Sequence, residues 1–175
     1  MQNNLRARFA SALTTWGPHL LLLAASVFFT RLGQGLIGGA STNFFVDEIG
    51  LEGRQVLWLA GLREIPGLAL VFIAALMLRW PLQRRAAAAI LLMAVGYGLY
   101  ALIHSYVALV AVAIVASLGF HVWMPLQSAI GLALVEKERS GRVLGALASM
   151  GALASIVGMG VTALLATAVP LRSLY

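Results

Sequence analysis

Apolar residues in this chain neither alternate with polar ones nor keep to one helical face. They fill long runs, and polar side chains mark the gaps. The runs cover Leu20–Phe45, Gln55–Leu78, Ala86–Ile103, Tyr106–Val135 and Val143–Val169. Each is close to the about 20 residues that carry a helix across a hydrocarbon core of about 30 Å. Barrel strands would read as alternating segments of about 10 residues, so these continuous runs predict helices. The breaks "VDEIGLEGR", "RWPLQRR", "HS" and "EKERSGR" are too short for a soluble domain and make successive helices antiparallel neighbours. The expected organisation is a tail over residues 1–19 and an all-α membrane protein, a bundle of five transmembrane helices, over residues 20–175.

Composition agrees. Hydrophobic residues make up 61% and charged residues 10% of the chain, against about 45–50% and about 25% in soluble domains. A net charge of +6 would suggest a nucleic-acid partner in a soluble protein. Here the basic residues sort by loop instead. Arg6, Arg8, Arg79, Arg84, Arg85, Lys137, Arg139 and Arg142 fall on one side, and only Arg54 and Arg172 on the other. Because Lys and Arg in short loops mark the cytoplasmic face, the expected topology has a cytoplasmic amino terminus, an external Tyr175 and no nucleic-acid partner. The expected location is the cytoplasmic (inner) membrane, with the lipid bilayer as surroundings. Arg6 and Arg8 ahead of an apolar run also suggest a signal peptide, but the run continues to Phe45, far past any cleavage site. The absence of cysteine removes disulfides, thiolate metal sites and cysteine nucleophiles.

The arrangement of tail, spans and loops resembles the amino-terminal half of a Major Facilitator Superfamily transporter. That family carries, between its second and third spans, a loop reading roughly Gly-x-Leu-Ala-Asp-Arg-x-Gly-Arg-Arg/Lys. The corresponding piece here is "AALMLRWPLQRR", in which Arg79, Arg84 and Arg85 match the basic positions and Ala74 or Ala75 stands for the glycine. Leu78 replaces the aspartate, and Pro81 with Leu82 the second glycine. The family's fourth-span arginine has no counterpart in "LGFHVWMPLQSAIGLAL", and "GALASMGALASIVGMG" echoes its fifth-span glycine signature without the proline. The resemblance implies two six-span halves around a midplane site. A chain of five spans is then expected to be a fragment, or a subunit completed by the missing carboxy-terminal helices or a partner subunit.

A charge at the bilayer centre costs about 2.5–3.5 kcal/mol on insertion scales, so each such residue needs a partner or a water-filled cavity. Arg31 lies midway along the first span. With Gln34, Gly35, Gly38 and Thr42 it forms one stripe at three- and four-residue steps. The stripe lines either a cavity or a packing seam, since Gly35 and Gly39 have Gly-x-x-x-Gly spacing. A guanidinium adds nothing to close packing, which favours a cavity for Arg31. In the second span, Arg63 and Glu64 point about 100° apart. By depth Glu64 can reach Arg31, either as a functional pair or as a charge pair that only fixes register. Pro66 and Gly67 predict a kink beside them. In the fourth span, His121 matches the depth of Arg31. Ser117 and Ser128 share its face, and Gln127 points away unless Pro125 rotates it. His121 is either a satisfied interior histidine or a group that binds a proton or an anion. Asn43 is expected to satisfy backbone groups at the end of the first span. In the fifth span, Gly145, Ala148, Ala152 and Ser155, with Gly151, Gly158 and Thr162 beside them, read as a close-contact face.

The deep polar residues Arg31, Gln34, Arg63, Glu64, His121 and Gln127 all fall on spans one, two and four. Spans three and five have almost none. The expected function is therefore a secondary active transporter, or its amino-terminal half, moving a small solute by alternating access. If the solute is anionic, Arg31 is its counter-charge, and Glu64 or His121 carries a coupling proton. The alternative is a structural or assembly subunit whose polar stripe meets a partner helix or a pigment bound through His121. No cofactor or metal is expected, because no His, Asp and Glu have metal-ligand spacing. No enzyme is expected either, since no nucleophile stands with a base.

Overall fold

A computed structural model describes residues 16–175 of the chain. The tail residues Arg6 and Arg8 lie outside the described residues. Helices account for nearly all of the described chain, and no strand occurs among the described residues. Pro18 opens α1 (Pro18–Asn43), where a missing N–H costs nothing and the ring pre-sets φ. The tail expected over residues 1–19 therefore gives way to helix at Pro18. Asn43 does not end this helix either, because a π turn over Phe44–Glu48 carries it further. Gly50, the one described residue with left-handed φ at +76°, turns the chain back.

The second span is broken into α2 (Gly53–Leu62), α3 (Ile65–Leu68) and α4 (Leu70–Leu76). Pro66 has no N–H to give, and the pieces before and after Ala69 bend by 43°. The kink expected from Pro66 and Gly67 is present, displaced towards Ala69. Next come α5 (Leu82–Gly98), tightened into a 3₁₀ turn over Leu99–Leu102, and α6 (Tyr106–Ala133). Ser105 caps α6, its hydroxyl accepting from the Ala108 N–H at 3.3 Å. The last long helix, α7 (Lys137–Leu165), starts six residues before the expected Val143, because the charged turn is itself helical. A 3₁₀ turn over Leu171–Leu174 closes the chain. Helices α1, α5, α6 and α7 are each long and apolar enough to cross a membrane, and α2–α4 make a fifth span if the bent pieces count as one. This is the fold of a multi-pass helical membrane protein.

The helices associate as two tight pairs, α1 with α7 and α5 with α6. Small residues make each pairing possible. A Cβ on Gly35 would run into the Ser155 backbone, and one on Gly158 into the Leu32 and Leu36 backbones. Thr162 locks the same contact by donating its hydroxyl to the Leu36 carbonyl at 2.7 Å. In the other pair, a Cβ on Gly96 would meet Ala116 at 2.7 Å, and one on Gly119 would come within 2.5 Å of the Ala89 carbonyl. The α7 row that makes the contact is Gly151, Ala154, Gly158 and Thr162, all buried. The expected ladder is corrected accordingly: Gly145 has open space beside it and Ala152 is exposed. The second span leans mainly on α6, and contact between the two tight pairs is sparse. That looseness leaves room for cavities between them.

Candidate functional site

The α1 stripe splits in two. Gly35 and Gly39 belong to the α7 seam, Gly39 approaching Thr162 and Met159. Arg31, Gln34 and Gly38 turn to the cavities. Arg31 is half-buried, its stem against Gly151, where a Cβ would stand 3.0 Å from Arg31 Cγ. It donates Nη1 to Gln34 Oε1 at 3.2 Å and Nη2 to the Met124 sulfur at 3.0 Å. It also lines a cavity of about 230 Å³ between α1, α6 and α7, together with Gln127 and Ser128. The expected Arg31–Glu64 bridge is not formed, and Arg31 has no ion pair among the described residues. The break in the second span aims Glu64 at α6 instead.

There Glu64 Oε2 lies 3.2 Å from His121 Nε2. On the other side of the ring, Nδ1 is 2.9 Å from the Ser117 carbonyl and 3.1 Å from the Ser117 hydroxyl. That hydroxyl donates to the Arg63 carbonyl. A hydrogen on Nε2 points at the Glu64 carboxylate, which accepts it, while Nδ1 faces the serine. Gly67 makes this possible, since a Cβ there would stand 2.6 Å from His121 Cδ2. The Glu64 side chain remains 69% exposed and that of His121 18%, so the pair is open on one side. Ser117 shares the His121 site as its spacing predicts, but Ser128 belongs to the Arg31 cavity. Gln127 joins Ser128 there, beside Met124, to which its Nε2 lies 3.5 Å away.

Arg63 faces a third direction. It lines a cavity of about 350 Å³ with Gln34, Ile37, Gly38 and Ser41 of α1, Tyr97 and Tyr100 of the third span, and Phe120 of α6. Tyr97 and Tyr100, near the end of the third span, are lining residues that the sequence reading does not include. In the sequence they stand near the end of an apolar run, where tyrosine reads as an interfacial anchor. The signal that distinguishes them is the spacing in "GYGLY", whose three-residue step puts both rings on one helical face. Tyr100 is 1% exposed and stacks with Phe45, Tyr97 and Tyr175. The buried polar atoms without a hydrogen-bond partner among the described residues are Gln34 Nε2, Tyr100 OH and Gln127 Oε1, and each belongs to a residue that lines one of these two cavities.

The basic loop residues have separate tasks. Arg85 donates to the Trp80 and Leu78 carbonyls, each at 2.7 Å, and so closes the frayed end of α4. Arg79 and Arg84 are exposed. Among the described residues no group of three His, Asp or Glu is placed to hold a metal ion. The chain matches no family model, no curated protein and no solved structure.

Proposed function

We propose that the protein is a secondary active transporter, or the amino-terminal half of one, of the Major Facilitator type. It moves a small solute across the cytoplasmic membrane, with the basic end of the bundle in the cytoplasm. The observation that carries this reading is the placement of the deep polar groups. Arg31, Gln34, Arg63 and Gln127 converge on two cavities and His121 pairs with Glu64, the one of the six that is exposed, while the outward faces of the long helices are otherwise apolar. Gln34 joins the cavities, its carbonyl on Arg31 and its amide nitrogen without a partner. A packing element would leave no such groups unsatisfied, because each buried orphan costs about 1–3 kcal/mol. The His121–Glu64 pair supplies a place to load and release a coupling proton.

The test is uptake by the complete polypeptide in proteoliposomes, screened over radiolabelled small anions, cations and neutral solutes. Arg31→Ala and His121→Ala are each expected to lower uptake by at least about tenfold, the loss of a charge-assisted contact. Uptake unchanged in both variants would remove the site assignment. The second reading, an assembly subunit, has one observation of its own: the 69% exposed Glu64 side chain lies open at the bundle surface, where a partner helix could meet it. A native complex retained through purification, with no uptake of any solute, would favour it.

A further inference from the structure

Only one side chain in the cavity between α1, the second span and α5 is charged, and it is cationic. Arg63 lines it, no acidic residue does, and Arg63 makes no ion pair among the described residues. Its charge is near enough to act on both Tyr97 and Tyr100. No lining residue brings a carboxylate, so the guanidinium lacks an anionic acceptor. Ser41 adds no competing need, as its hydroxyl already donates to the Ile37 carbonyl at 2.6 Å. The remaining wall is Ile37, Phe120 and the tyrosine rings. One positive charge with no acid beside it and an apolar wall together select a small organic monoanion.

We infer that this cavity is a binding site for a small organic carboxylate, with Arg63 as counter-charge and the rings of Phe120 and Tyr97 as its apolar wall. The inference rests on the transport reading only for its purpose, since binding is measurable without transport. It moves the counter-charge from Arg31, which already has Gln34 and Met124 as partners, to Arg63, which has no charged partner among the described residues. A volume of about 350 Å³ equals about ten water molecules at about 30 Å³ each, enough for a ring bearing one carboxylate.

The experiment is calorimetric titration of the purified full chain with benzoate and with benzamide, which has the same shape and no charge. Benzoate is expected to bind at millimolar concentration, and benzamide at least about tenfold more weakly. Arg63→Gln should cost benzoate about tenfold or more, while Arg142→Gln, a charge removed at the exposed start of α7, changes nothing. The Ser117 contact uses the Arg63 carbonyl and survives substitution of the side chain. Should Arg63→Gln not fold, Arg63→Lys decides, with binding weakened but preference for the anion kept. The site is overturned by equal binding of benzamide, by no benzoate binding, or by loss of binding in Arg31→Gln with full retention in Arg63→Gln. Benzoate binding through Arg63 without uptake of any solute keeps the site and removes the transport reading. Solute uptake indifferent to Arg63→Gln does the reverse.

Discussion

At the scale of the residue, the closest helix contacts in this bundle are made at glycines and hydroxyls, beside a core of larger side chains such as Trp123, Phe44 and Leu109. Lipid tails are as apolar as leucine, so helices gain by approaching closely and by bonding across the gap, not by hiding hydrocarbon from water. Thr162 does both: it is 1% exposed and donates its hydroxyl to the Leu36 carbonyl of α1. Thr162→Val keeps the shape and removes the bond, with an expected loss of about 0.5–1.5 kcal/mol. Gly35→Val drives a side chain into the Ser155 backbone and is expected to cost more, about 1–3 kcal/mol or above. Thermal unfolding in one detergent should rank the two in that order. Equal midpoints for both variants and the parent would mean that the α1–α7 contact does not carry stability. The Gly-x-x-x-Gly spacing of Gly35 and Gly39 was legible in the sequence. The α7 row opposite was not, because several small residues spread around that helix and only its rotation selects the buried ones.

At the scale of the element, the broken second span decides the chemistry. A straight helix would carry Glu64 towards any neighbour at its depth, and depth alone matched it to Arg31. The breaks at Arg63–Glu64 and at Ala69 turn it to His121, and Gly67 lets the imidazole lie against the backbone. Gly67→Ala adds one methyl at a place where the ring can swing aside, so it should cost little stability. It should nevertheless displace Nε2 from the carboxylate and separate the two groups that the transport reading gives to the coupling proton. The expected outcome is a protein with an unfolding midpoint within about 2–4 °C of the parent, on the order of 1 kcal/mol, whose solute uptake no longer responds to a pH gradient. Glu64→Gln should give the same indifference by removing the acid directly. A pH response that persists in both variants would mean that the coupling proton sits elsewhere. Pro66 and Gly67 announced the kink in the sequence, but its direction depends on α6, which lies far away along the chain.

At the scale of the whole molecule, the end of the bundle opposite the basic loops is tied by the segment after α7. Arg172 donates Nη1 to the Ala101 and Ile103 carbonyls, at 3.0 and 2.7 Å, lies 3.5 Å from Glu48 and sits over the Phe44 ring. Tyr175 stacks on Phe44 and Tyr100 and reaches Ile37 and Ser41 with its hydroxyl. One short turn thus joins the ends of spans one, three and five above the Arg63 cavity. Arg172→Ala leaves the Ala101 and Ile103 carbonyls without this donor and should loosen that end. Because the chain has no cysteine, Gly38→Cys gives a single label in the cavity wall. Its reaction with a membrane-impermeant thiol reagent is expected to be at least about threefold faster in the Arg172→Ala background, a shift of about 0.65 kcal/mol or more in the opening equilibrium. An unchanged labelling rate would show that the tie does not govern access.

All-helical character and the presence of four to five helices long and apolar enough to cross a membrane followed from the sequence alone. Backbone groups in hydrocarbon must be satisfied within their own segment, so the length of each apolar run is a local property. The same locality exposed Arg31, Glu64 and His121 as residues with unmet needs. Which groups meet those needs was decided by the tertiary structure. The close contacts of Gly35, Gly96, Gly119 and Gly158 set the stagger of the two helix pairs, the break and Gly67 brought Glu64 to His121, and the packing between elements brought Arg31 to Met124 and Arg63 to two tyrosines of a span that had looked featureless.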